Sequence, residues 1–177
     1  MGTMRAALIL LGLGLALREV TPAAPVLGAL ESFNRHFSYY ETPNEIALTI
    51  TDTLTVTDAD GDNINGGTVV VATYEAGDTL VVTDTTVSGV TNTYSAGTLT
   101  LSGSANAADY QTVLRSVKYF RPDTWGFEDN PNTHSKTFTF EVTDVNAETA
   151  TSVNRQFTIE TAYFICTDVD PCTRTLN

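Results

Sequence analysis

The chain is poor in cysteine, histidine, tryptophan and positive charge. Of its 177 residues two are Cys, two are His and one is Trp, and Lys plus Arg number 9 against 21 Asp plus Glu. Each shortage excludes something. His36 and His134, with no Cys pair near either, do not make a zinc site. A net charge of −12 and a pI near 4.3 repel nucleic acid and anionic membrane surfaces, and suit salty or divalent-rich surroundings. No G-x-S-x-G nucleophile motif and no phosphate-cradling Gly loop is present. Glu128 and Asp129 are paired carboxylates, but adjacency in sequence does not set them across a substrate, so they read as loop charges. The chain therefore reads as non-enzymatic. Long apolar runs are also scarce. One runs from Ala6 to Leu17, preceded by Arg5 and stopped by Arg18 and Glu19. About a dozen residues is too short to span a bilayer and fits the core of a signal peptide, expected over 1–24. With no second such run, the mature chain is expected to be secreted or at the cell surface, without inserting into a membrane. The two cysteines, Cys166 and Cys172, lie in CTDVDPC within a C-terminal tail (161–177). They can pair with each other across a short loop or with partners outside the chain.

What the chain has instead is threonine, its commonest residue, and short apolar alternation. Thr packs its branched β-carbon well on a pleated surface. Strand-like runs are HFSYYE, IALTITDTLTVT with a phase shift at Asp52–Thr53, TVVVATY (68–74) and GDTLVV (77–82). GTLTLSG (97–103), KTFTFEVTD (136–144) and SVNRQFTIE (152–160) follow, with Leu99 and Leu101, then Phe138, Phe140 and Val142, expected inward. One segment departs from this period. SANAADYQTVLRSVKYF places Ala107, Tyr110, Val113 and Leu114 at helical spacing, so a short helix is expected over 105–113, capped by Ser104. A long loop rich in Pro, Asn and Asp (121–135) carries Trp125 and Phe127, expected to cover the core edge. The fold expected is an all-β Greek-key sandwich of about seven to nine strands over 25–160, with one short helix.

The chemistry concentrates in LTVTDADGDNINGGTVVV (54–71). The helical calcium loop places acids at about positions 1, 3 and 5, Gly at 6 and Glu at 12. Counting from Asp58, the first three are met by Asp58, Asp60 and Asp62, but Asn63 and Val69 stand at the last two. The flanks have strand periodicity as well, so a helix-loop-helix site is excluded. Two readings remain. Asp, Gly and Asn make a turn here through local bonds to the backbone, or the carboxylates form part of a calcium site.

The order of APVL, SYYE, LTVTDAD, GTLTLSGSANAADYQTVLRSVKYF and KTFTFEVTD resembles a cadherin-like repeat of the kind found in large extracellular adhesins and matrix proteins of proteoglycan type. The match covers roughly residues 24–160. The resemblance implies a Greek-key sandwich whose ends bind Ca2+, and a role in adhesion or matrix structure with another extracellular protein, or a like domain, as partner. It implies Glu41, Asp58, Asp60 and Asp144 as ligands, with Asp62 and Asn146 adding oxygens. Calcium takes about six to eight oxygens, more than one turn supplies, so ligands distant in sequence must converge. Only one copy is present, whereas tandem copies normally share calcium across a junction. A rival reading is a carbohydrate-binding sandwich that stacks sugars on Trp125, Tyr94 or Tyr119. An ice-binding face is disfavoured because the Thr residues keep no fixed longer period.

Overall fold

The structure, a computed structural model, describes residues 21–31, 35–40, 47–120, 133–152 and 154–162. Within them the chain is mostly antiparallel β-sheet with one short helix, an all-β sandwich. The larger layer contains β2 (Arg35–Tyr40), β5 (Ile64–Val71), β7 (Thr91–Ser95), β8 (Thr98–Ala105), β10 (Thr133–Asp144) and β12 (Arg155–Ala162), ordered β2-β12-β10-β5-β8-β7. β11 (Thr149–Thr151) also pairs with β10, beyond the end of β12. There Ser152 fills the gap: its amide donates to the Phe140 carbonyl at 2.8 Å and its hydroxyl accepts from the Phe140 amide at 3.0 Å. β2 and β12 pair in parallel, which brings early and late segments of the domain together.

Facing this layer is a second sheet of β3 (Leu48–Thr49), β9 (Val117–Phe120) and β6 (Thr79–Val82), ordered β3-β9-β6. β1 (Val26–Gly28) and β4 (Thr55–Thr57) form a separate pair. The run read as one interrupted strand is therefore two strands in different sheets. Thr51 sets the break: its hydroxyl accepts from the amides of Thr53 at 3.4 Å and Leu54 at 3.1 Å, a local turn that competes with strand pairing. Ile50, Leu54 and Val56 nevertheless all reach the core.

Period-two alternation decides the filling. Leu99 and Leu101 of β8 and Phe138, Phe140 and Val142 of β10 are buried, as their spacing predicts. Fully burying such a side chain contributes about 1.5–3 kcal/mol. An edge-to-face ring contact joins the layers, Tyr119 of β9 meeting Phe138 of β10 at 5.5 Å and 70°, and within the larger sheet Phe138 meets Phe157 of β12 at 5.0 Å. The same parity points Lys136 and Asp144 of β10 inward, one towards each end of the strand; each is 1% exposed.

The helix, α1 (Ala107–Arg115), starts two residues later than expected, because β8 continues through Ser104 and Ala105. Asn106, not Ser104, is the cap: its side-chain oxygen accepts from the Asp109 amide at 2.9 Å. Tyr110, Val113 and Leu114 face the core, and α1 packs on β4 and β5. Its polar side chains serve the chain beside it. Gln111 accepts from the Val56 amide, and Arg115 donates to the carbonyls of Leu54 and Thr53.

The segment leading to Glu31 is held by a buried cation. Arg155 lies 5.2 Å from the centre of the Phe157 ring, donates to the carbonyls of Ile50 and Glu31, and pairs with the Glu31 carboxylate at 3.6 Å. Burial pushes the Glu31 carboxyl up, but hydrogen bonds from the Thr51 hydroxyl and from backbone amides, Asp52 included, outweigh it and bring it down to about 2.

Candidate metal centre

β4 leads into the loop 58–63, and β10 leads into the turn 144–148. Strand pairing places these two segments side by side, since Asp144 at the end of β10 opposes Ile64 at the start of β5. Both strands carry a register irregularity here, in β5 between Ile64 and Gly66 and in β10 between Thr143 and Asp144. A bulge of this kind ends regular pairing and redirects side chains.

The two segments share one device. Asp58 Oδ1 accepts from the amides of Asp60 at 3.0 Å and Asp62 at 3.1 Å. Asp144 Oδ1 accepts from the amides of Asn146 at 2.8 Å and Glu148 at 2.9 Å. Each carboxylate folds its own loop by binding donors two and four residues on. The turn reading of DADGDN is thus correct for one oxygen of each group. The segments are then joined to each other. Asn146 Nδ2 donates to Asp62 Oδ2 at 2.5 Å, and the Val145 amide donates to the Asn63 carbonyl at 3.0 Å.

The second oxygens behave differently. Oδ2 of Asp58 and Oδ2 of Asp144 are both buried and have no hydrogen-bond partner. A buried anionic oxygen without a donor is costly, and native interiors contain few of them. A bound cation satisfies such an oxygen, and a hard divalent ion prefers carboxylate and carbonyl oxygens.

Of the five residues expected to bind metal, the structure brings together the loop of Asp58 and Asp62 and the turn of Asp144. Asp60 belongs to the same loop, but its Oδ2 accepts from the Ala23 amide at 2.6 Å and so ties down the segment before β1. Glu41 lies outside the described residues. Among the described residues no three His, Cys, Asp or Glu side chains gather as a ready metal cage. Further oxygens would have to come from Asn146, backbone carbonyls, water or residues outside that set. Sequence reasoning overlooked Glu148, whose amide closes the second turn; the Asp-Val-Asn-Ala-Glu order is a turn signal that would have pointed to it.

The aromatic platforms of the rival reading fare poorly. Tyr119 is 2% exposed and packed in the core, so it cannot stack on a sugar. Tyr94 is partly buried; its hydroxyl donates to the Asp78 carbonyl and accepts from the Gly97 amide. Trp125, Phe127 and both cysteines lie outside the described residues. No helix among the described residues is long and apolar enough to cross a membrane.

The chain is similar to Halomucin of Haloquadratum walsbyi (strain DSM 16790 / HBSQ001). The two are 42% identical over 85 residues, which is 44% of this chain and 1% of Halomucin. This chain therefore spans a very small part of the length of that relative. No family model matches the chain, and no solved structure matches it.

Proposed function

We propose that this chain is a calcium-binding, non-enzymatic β-sandwich that serves as a structural or adhesive module outside the cell. The observation that carries the calcium reading is the pair of buried, partnerless oxygens, Asp58 Oδ2 and Asp144 Oδ2, in two segments bonded to each other. A cation bound there would draw ligands from far apart in sequence and fix one end of the larger sheet. The motifs shared with cadherin-like repeats favour the same residues. With few charged ligands in reach, the affinity belongs in the extracellular range, a Kd of about 0.1–1 mM.

The extracellular role is supported by two independent features. One is the similarity to a protein named Halomucin, from an organism named for salt. The other is the charge of −12, since a surface dense in carboxylates stays hydrated and soluble where salt screens repulsion. Another extracellular protein or a like domain is the fitting partner. β7, at one edge of the larger sheet, carries an exposed row of polar residues suited to such contact.

The test is thermal unfolding of the full chain in excess chelator and in millimolar calcium. At about 10 mM calcium, roughly 10–100 times Kd, binding adds about 1.4–2.7 kcal/mol, which raises Tm by roughly 3–10 °C for a domain of this size. Equal melting temperatures in chelator and in 10 mM-scale calcium would remove the calcium reading and leave the aspartates as turn formers.

A further inference from the structure

At the opposite end of β10 from Asp144 lies a second buried polar cluster, unconnected with the proposed calcium site. Lys136 is 1% exposed and Asp78 is 2% exposed. Lys136 Nζ sits 2.8 Å from Asp78 Oδ2 and 3.0 Å from Glu75 Oε2, and donates to the Thr73 carbonyl at 3.2 Å. Asp78 Oδ1 accepts from the Tyr119 hydroxyl at 2.6 Å, and Oδ2 also accepts from the Glu75 amide at 2.8 Å. The Glu75 carboxylate is half exposed and so links the cluster to solvent.

We propose that Lys136 and Asp78 join through an intramolecular amide bond, with Glu75 as the proton carrier. Three features of the cluster favour this over a permanent ion pair. Amine and carboxyl are held in contact by a folded core, which turns a bimolecular condensation into a unimolecular one. The Tyr119 hydroxyl is aimed at the oxygen that would carry negative charge when Nζ adds to the Asp78 carboxyl carbon, the position where a preformed donor stabilises most. Burial of both partners leaves little bulk water at the reacting atoms to reverse the reaction.

The step balances without any co-reactant. Glu75 takes a proton from Nζ, and the Nζ lone pair forms the N–C bond at the Asp78 carboxyl carbon. The C–Oδ2 bond breaks, and Oδ2 leaves as water with two protons that began on the ammonium group, one of them relayed by Glu75. Oδ1, held by Tyr119, becomes the amide oxygen. The product ties the turn before β6 in the smaller sheet to β10 in the larger one, across 58 residues of sequence. Such a bond staples the two layers where the described residues contain no cysteine.

The experiment is peptide mapping of the denatured full chain by mass spectrometry. The expected product is one branched species containing both Asp78 and Lys136, lighter than the two linear peptides together by the mass of one water. Recovery of the two linear peptides in full yield from folded protein would overturn the proposal. Two variants sharpen it. Lys136→Met is expected to show no branched species. Glu75→Gln alters a half-exposed side chain and is expected to fold, shown by an unchanged circular dichroism spectrum, yet to form the branched species at least about tenfold more slowly than wild type when both are obtained unfolded and still linear and are then folded. A Glu75→Gln chain that cross-links as fast as the wild type would overturn the role given to Glu75. If Lys136→Met does not fold, the wild-type map and the Glu75→Gln rate still decide.

Discussion

Replacing Asp144 with Asn separates the two tasks of its carboxylate. Oδ1 accepts two amides, and an Asn carbonyl oxygen in the same place keeps both. Oδ2, buried and partnerless, becomes an NH2 group that cannot ligate a cation. In chelator two effects oppose each other. The variant loses a buried negative charge on an oxygen without a donor, a gain. It acquires a buried donor without an acceptor, a cost of about 1–3 kcal/mol. The net change in chelator is therefore expected within about 1 kcal/mol of zero. In saturating calcium the wild type gains about 2.7 kcal/mol and Asp144→Asn gains almost none. Asp144→Ala is the contrasting case. It removes the one oxygen that accepts from both amides, and each hydrogen bond to a charged acceptor is worth about 1.5–3 kcal/mol, so it destabilises with or without calcium. Thermal melts of the three chains in both conditions supply the assay. A full calcium shift in Asp144→Asn, or an equal loss in chelator and calcium, would refute the assignment of Oδ2 as a ligand.

Three further outcomes follow from the geometry. Ala96 takes a left-handed φ of 45° beside Gly97 at 84° in the turn joining β7 to β8, a two-residue hairpin that favours Asn-Gly; Ala96→Asn is expected to raise stability by about 0.5–1 kcal/mol in a urea melt, and a loss would contradict the turn assignment. Gly103 has a φ of 120°, and a β-carbon there would meet the Gly89 carbonyl oxygen at 1.9 Å; Gly103→Ala is expected to be among the most damaging single changes, beyond about 3 kcal/mol, and near-wild-type melting would show that the Gly89 segment yields freely. The Glu31 carboxyl is held down at about 2 when folded, so the stability it contributes is present above its unfolded pKa and is lost as pH drops towards 2; Glu31→Gln should remove that part of the acid dependence, and an unchanged pH profile would place the acid sensitivity elsewhere.

The parts of the fold that were legible in the sequence are those with strict alternation. Leu99, Leu101, Phe138, Phe140 and Val142 follow a period of two without interruption, and all are buried. The helix was legible in type because Tyr110, Val113 and Leu114 share one face, but its start was displaced since Ser104 and Asn106 are both good caps and strand pairing claimed the first. β7 went unread: TNTYS is polar, lies at a sheet edge and buries little. The division of IALTITDTLTVT between two sheets depends on the Thr51 hydroxyl, whose bonds no propensity reveals. Of the site, Asp58 and Asp62 announce themselves as a cluster, whereas Asp144 rested on the family resemblance, though it stands in phase with Phe138, Phe140 and Val142. Lys136 stands in the same phase, and a charged residue on a core-facing parity is itself a signal of a buried polar cluster. Its partner Asp78 lies in another layer and is reached only through tertiary packing.

The most direct test of the account is a calcium titration of the full chain followed by the backbone amide resonances of Asp60, Asp62, Asn146 and Glu148. These amides bond to the Oδ1 atoms of Asp58 and Asp144, so a cation on the Oδ2 atoms must disturb both sets. The account predicts that resonances from the loop 58–63 and the turn 144–148 move together along one saturable curve with a Kd of about 0.1–1 mM. Movement of only one segment, or none of either up to calcium well above that range, would contradict a composite site.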